Sequence, residues 1–234
     1  MVYSINPCQM EFNMKNRRHR VDSIRMHEII LSIQGESTFA GLPCVLLRTT
    51  GCPLRCTWCD TEHAFSGGRV MTVVEVVEKS LALGVPLVEV TGGEPLAQAG
   101  VHPLMRMLAD HGKTVLLETS GALDVSAVDP RVHIILDVKC PASGMTDRMR
   151  WENLSLLKPG DEVKFVVADR EDYEFARQKI EEHGLPARCE VLLSAVSGRI
   201  EAGTVVQWIL QDRLPARFQL QMHKVIWPPD MTGV

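Results

Sequence analysis

The stretch "PCVLLRTTGCPLRCTWCDT", residues 43 to 61, decides how the rest of the chain is read. Its first half is a continuous apolar run of strand length. Its second half sets Cys52, Cys56 and Cys59 in a loop directly behind that run. C-x3-C-x2-C brings three soft sulfur ligands within reach of one another, which selects zinc, copper(I) or an iron-sulfur cluster. The fourth ligand separates these choices. His63 could close a Cys3His zinc site that merely pins the loop, whereas an open position on an iron-sulfur cluster would admit a small molecule.

Outward from this loop, further apolar runs are predicted as buried strands: "HEIILSI" (27–33), "LVEVT" (87–91), "TVLLET" (114–119), "VHIILDV" (132–138), "EVKFVVA" (162–168) and "EVLLSAV" (190–196). Stretches with helical periodicity over 71–83, 98–111, 170–183 and 200–213 lie between most of them. This alternation is the rhythm of βαβ units and predicts a largely parallel sheet. Continuous apolar runs do not distinguish a closed barrel from an open one. Ligands of parallel α/β folds gather at the carboxyl ends of the strands, and there stand "TGGEP" (91–95), "ETSGA" (118–122) and "DVKCP" (137–141). A structural zinc site would leave these polar strand ends unexplained.

The chain has 234 residues, 45% of them hydrophobic, enough for a full core in one α/β domain, expected over 26–234. No apolar run approaches bilayer length and no signal peptide is apparent, so a cytoplasmic address without a membrane partner is expected. Seven cysteines, three of them clustered, argue against a secreted disulfide framework; Cys8, Cys44, Cys140 and Cys189 read as small buried hydrophobes. The net charge of −4 divides into +3 on residues 1–25, where Lys15, Arg17, Arg18, Arg20 and Arg25 outnumber Glu11 and Asp22, and −7 on the remainder. That segment is expected to be a disordered leader or an over-called start rather than a nucleic-acid arm.

With Trp58 before the last cysteine and "GGEP" downstream, the cysteine pattern resembles the radical S-adenosylmethionine superfamily. "SIQGES" (32–37), "GLPCVLLRTTGC" (41–52), "CDT" (59–61), "TGGEP" and "QLQMHK" (219–224) are similar to the 7-carboxy-7-deazaguanine synthases, from about residue 26 to 227. The resemblance implies an incomplete (β/α) barrel of mostly parallel strands. It implies a lyase of queuosine and 7-deazapurine biosynthesis, which converts 6-carboxy-5,6,7,8-tetrahydropterin to 7-carboxy-7-deazaguanine with release of ammonia. The cofactors implied are a [4Fe-4S] cluster, S-adenosylmethionine and Mg2+, and the partners are an electron donor such as flavodoxin or ferredoxin and a second copy in a homodimer. The readings kept beside it are a glycyl-radical activating enzyme and a zinc-stapled binding module that uses His63.

By the same resemblance Cys52, Cys56 and Cys59 hold the cluster and Thr61 ligates Mg2+. Trp58, Asp60, Gly92, Gly93, Glu94, Ser120, Asp137, Lys139 and Ser194 meet S-adenosylmethionine. Ile33, Gln34, Gly35, Glu36, Arg48, Thr91, His223 and Lys224 meet the pterin. Many relatives carry "SPK" where this chain has "DVK" at 137–139, and the chain continues past the terminal "HK" through "VIWPPDMTGV".

Overall fold

β1 (Ser23–Ile33) opens the described part of the chain, and its first residues are held by burial: Ile24 and Met26 pack into an apolar core and pair with β3 (Arg69–Thr72). The computed structural model describes residues 21–228 together with 231 and 233. Ser23 to Arg25, which the sequence places in the leader, therefore belong to the sheet. The rest of that expected leader, residues 1–20, and Cys8 with it lie outside the described residues.

Among the described residues nine strands form one sheet in the order β3-β1-β2-β4-β5-β6-β7-β8-β9. β1 runs antiparallel to both neighbours, whereas β2 (Pro43–Thr49), β4 (Leu87–Gly92), β5 (Thr114–Thr119), β6 (His133–Val138), β7 (Glu162–Val167), β8 (Glu190–Ala195) and β9 (Arg217–Phe218) run parallel. β3 and β9 are not paired with each other, so the sheet is an open, incomplete barrel.

The helices cover one face. α1 (Val73–Ala82) and α2 (Val101–Asp110) pack on the first half of the sheet through Val76, Val77, Leu104 and Leu108, and α3 (Arg170–Glu182) and α4 (Ala202–Asp212) on the second half through Tyr173, Ala176, Val205 and Ile209. A capping box between Thr72 and Glu75 starts α1 at Val73. Met71 and Thr72, which periodicity assigns to that helix, are therefore strand residues of β3. β3 and the two-residue β9 are the strands the sequence pattern misses.

The opposite, concave face is layered. Cys44, Leu46, Leu87, Leu116 and Ile135 form a small apolar cluster. Side chains alternate along a strand, so two residues further on the same face carries Arg48, Glu89, Glu118 and Asp137, with Lys164 beside Asp137 in register. Every one of these charged side chains lines the cavity described next.

Candidate active site

The cysteine loop leaves β2 through Gly51, whose φ of +98° disfavours any side chain. Its backbone is fixed at both ends. Gly51 N–H donates to the Ala64 carbonyl at 2.8 Å, and Thr57 donates from its amide to Ser143 O (3.2 Å) and from its hydroxyl to Ala142 O (2.9 Å). Ala142 N–H donates in turn to buried Asp172 on α3, so the loop is braced against a helix of the outer layer. Leu54, 1% exposed, plugs the loop from below. Trp58 packs with Val166 and Val196, and the Arg199 guanidinium lies 5.2 Å from its ring centre.

Cys52, Cys56 and Cys59 all border one cavity of about 320 Å³ at the carboxyl ends of the strands. Burial raises the Cys52 and Cys56 thiols above their ordinary value, with Lys139 working against it. They are thiols before metal arrives, and loading a metal must release their protons. Among the described residues no three His, Cys, Asp or Glu side chains are already drawn around one metal-sized point. The set nevertheless suits a cluster: three thiols share one wall, Leu54 N–H donates to Cys52 Sγ at 3.4 Å, and apolar Leu54 and Trp58 flank them. His63 packs against His27, ring centres 5.1 Å apart.

The glycines of "TGGEP" serve this loop. A Cβ on Gly92, whose φ is +132°, would lie 2.3 Å from the Thr49 carbonyl oxygen, and one on Gly93 would lie 2.2 Å from that of Gly51. Bare backbone lets Gly93 N–H reach Thr49 O (3.1 Å) and Glu94 N–H reach Gly51 O (2.8 Å), which joins the exit of β4 to the start of the cysteine loop. Glu94 is wholly buried and does not border the cavity. Its carboxylate accepts from the Thr119 hydroxyl (2.9 Å), from Ser120 N–H (2.8 Å) and hydroxyl (2.5 Å), and from Leu96 N–H (3.0 Å), so it holds Ser120 in place from behind. Ser194, also buried, does not reach the cavity either; Val196 and Ser197 line it at that strand.

Gln34, Gly35 and Glu36 leave β1 across the cavity from the cysteines, and the last described helix, α5 (His223–Ile226), closes over them. Met222 N–H donates to Gly35 O at 2.9 Å, and a Cβ on Gly35 would meet His223 Nδ1 at 2.6 Å. Gln221 donates to Glu36 Oε1 at 2.8 Å, while Lys224 Nζ reaches both Gln221 Oε1 (2.7 Å) and Asp60 Oδ2 (2.8 Å). One chain of polar contacts thus ties the recognition segment, residues 221–224 and the cysteine loop.

The floor is charged. Lys164, 3% exposed, bridges Glu36 Oε2 (2.8 Å), Glu118 and Asp137 Oδ2 (3.5 Å), and Asp137 also takes Lys139 at 2.9 Å. The carboxylates raise Lys164 well above its ordinary value despite its burial, so it stays an ammonium. Asp137 Oδ1 has no partner among the described residues. Arg48 gives Nε to Glu28 at 2.5 Å, and its terminal nitrogens have no hydrogen bond among the described residues, as a site for an anion requires.

Every other residue singled out from the sequence borders this cavity: Ile33, Gln34, Gly35, Glu36, Arg48, Trp58, Asp60, Thr61, His63, Thr91, Gly92, Gly93, Ser120, Asp137, Lys139, His223 and Lys224, besides the cysteines. Sequence reasoning missed Glu89, Glu118, Lys164 and Gln221. The signal for the first three was a charge inside an apolar run: "LVEVT", "TVLLET", "EVKFVVA".

Comparison with known proteins agrees with this geometry. The model of the radical SAM superfamily matches residues 46–186, more than half of the chain. The chain is 46% identical over 214 residues to the 7-carboxy-7-deazaguanine synthase of Chlorobaculum tepidum, covering 90% of this chain and 97% of that one. It is 44% identical over 227 residues to the synthase of Koribacter versatilis, covering 90% and 100%. Among solved structures, QueE from Escherichia coli superposes with a TM-score of 0.69 at 21% identity, over 94% of this chain and all of that one. Streptococcus suis SuiB bound to S-adenosylmethionine superposes with 0.56 at 16% identity, over 94% of this chain and 57% of that one. Those two show the fold alone. A loop of three cysteines braced by a double-glycine strand exit, in an open parallel barrel with relatives of this identity over nearly their whole length, leaves one conclusion: the chain belongs to the 7-carboxy-7-deazaguanine synthase family of radical SAM enzymes.

Proposed function

We infer that the cavity takes up 6-carboxy-5,6,7,8-tetrahydropterin and S-adenosylmethionine side by side and releases 7-carboxy-7-deazaguanine and ammonia. The observation that carries this reading is convergence: the cysteine loop, the Gly92–Gly93 exit and the Gln34–Glu36 segment border one cavity, although they are far apart in the chain. Neither alternative needs that recognition segment.

When bound, the reduced cluster and S-adenosylmethionine supply a carbon radical that removes hydrogen from the substrate. Cys52, Cys56 and Cys59 hold the cluster as thiolates. Trp58, Asp60, Gly92, Gly93, Ser120, Asp137 and Lys139 form the wall for S-adenosylmethionine, with Glu94 holding Ser120 from behind and Ser194 outside the lining. Ile33, Gln34, Gly35, Glu36 and Thr91 offer donors and acceptors to the pterin's edge, Arg48 its free guanidinium nitrogens to the carboxylate, and His223 and Lys224 the cover. Thr61, whose hydroxyl is 3.6 Å from Cys59 Sγ, supplies one oxygen to Mg2+, which keeps few protein ligands. A flavodoxin or ferredoxin as donor, a homodimer and a cytoplasmic setting complete the reading. Among the described residues no helix is long and apolar enough to cross a membrane.

Anaerobic reconstitution with iron and sulfide, followed by dithionite, S-adenosylmethionine, Mg2+ and the pterin, tests it. Carboxydeazaguanine is the expected product, and a loaded cluster that makes none overturns the reading. His63→Ala should leave the iron in place.

A further inference from the structure

Glu28 and Arg48 face each other across β1 and β2 by way of a bulge. Met26 stands opposite Thr49 but Glu28 opposite Arg48, so β1 carries one extra residue, His27, between them. Side chains alternate along a regular strand, and residue 28 would then share the face of Met26, which is 2% exposed in the core under the helices. The extra residue turns it over, as bulges beside functional sites do. Beyond it the alternation resumes, with Ile29 against the helix-covered core and Ile30 against the small cluster of the concave face. The bulge itself is occupied, since the His27 ring packs on His63. Its outcome is an acid, Glu28, on the cavity wall beside Arg48.

The contact that follows is a directed one. Arg48 donates Nε–H to Glu28 Oε1 at 2.5 Å, and the side chains are only 13% and 18% exposed, so both are held inside the wall. A guanidinium offers a carboxylate two forked edges, the Nε edge and the end between the two Nη atoms. Glu28 occupies the first, and the terminal nitrogens have no hydrogen bond among the described residues. We propose that Glu28 is a positioning residue of this site: by holding the Nε edge of Arg48 it leaves only the end of the fork for the substrate's carboxylate, and so sets where the ring lies. The proposal rests on reading Arg48 as the group that receives the pterin's carboxylate. With the Nε edge free, the same carboxylate would bind on either edge, and only one of the two poses would lay the ring where reaction occurs.

Two variants separate position from charge. Glu28→Gln keeps an oxygen at the same reach for Nε–H and loses the charge, whereas Glu28→Asp keeps the charge on a shorter side chain. The strand pairing fixes both backbones, so the shorter acid draws the guanidinium aside or lets it go. In the reconstituted enzyme with S-adenosylmethionine and Mg2+, Glu28→Asp should lower kcat per bound iron roughly 100-fold and Glu28→Gln by less than about ten-fold. Glu28→Asp should also consume more S-adenosylmethionine per product, because a misplaced pterin leaves its cleavage unproductive. Equilibrium dialysis of the pterin, with S-adenosylmethionine present and reductant omitted, should find both variants within about three-fold of wild-type affinity, since the guanidinium still meets the carboxylate. The reverse order, with Glu28→Gln more impaired than Glu28→Asp, overturns the proposal in favour of a charge role. Two variants with wild-type kcat and coupling overturn it as well, and leave Glu28 a brace of the wall alone. Arg48→Gln with unchanged pterin affinity and kcat overturns the arginine reading beneath it, and a loaded wild type that yields no carboxydeazaguanine overturns the functional reading. Both are distinct from a failure of Glu28 in an active enzyme whose Arg48→Gln variant is impaired.

Discussion

Gly93 lies so close to Gly51 that a methyl group on it would sit 2.2 Å from the Gly51 carbonyl oxygen, immediately before the first cysteine. The double glycine therefore acts on the cluster loop as much as on any ligand. Gly93→Ala is expected to push the loop outward at a cost of about 1–3 kcal/mol. Iron bound per chain after reconstitution should fall together with the urea midpoint, and an unchanged iron content would show that the loop yields freely.

Glu94 joins two strand exits through Thr119, Ser120 and Leu96 without reaching the cavity. Glu94→Ala strands several buried donors, each worth about 1–3 kcal/mol when left unpaired. A large drop in unfolding free energy is expected from Glu94→Ala and a smaller one from Glu94→Gln, which keeps an acceptor. Equal stabilities of the wild type and Glu94→Ala would refute the bracing role.

Lys164 bridges Glu118 and Glu36 inside the sheet. Glu118 is depressed in the folded state, so its contribution to stability is present above the unfolded carboxyl value of about 4.3 and lost as pH falls below it. Lys164→Met removes the cation, at about 3–5 kcal/mol, and leaves Glu118 to rise under its burial. The variant should then lose more melting temperature between pH 5 and pH 7 than the wild type does. Parallel melting profiles over that range would rule this out.

Asp60 and Lys224 form a half-exposed ion pair at 2.8 Å, and such pairs contribute at most about 1 kcal/mol to global stability. The expected effect of Asp60→Asn is local. Amide exchange should quicken over residues 221–227 and KM for the pterin should rise, while the melting temperature stays within a few degrees. Exchange unchanged in that segment would mean that Gln221 and Met222 alone hold it.

Thr61→Ala should weaken the response of turnover to Mg2+ without loss of iron. A magnesium titration that superimposes on the wild type would remove Thr61 from the metal.

The strands and the motifs at their ends were legible because both follow from local pattern: apolar runs mark burial, and glycine or polar residues mark exits. The floor was not legible in the same way. Glu89, Glu118 and Lys164 sit inside runs that read as core, and only the curvature of the sheet makes one face of those runs a cavity. The same blindness assigned Ser194 to the ligand wall, although its neighbours Val196 and Ser197 are what line it. Gln221 was hidden for another reason. Its partner Glu36 stands 185 residues away, and no periodicity reports a contact of that span.

That span also sets a timetable during synthesis. β1, β2 and β3 complete their mutual pairing within residues 23–72, so they can assemble while most of the chain is still unmade. The contacts of Gln221 with Glu36 and of Lys224 with Asp60 wait until the segment at 221–224 has been made. A growing chain thus presents its three thiols to the surroundings long before it has anything to cover them with.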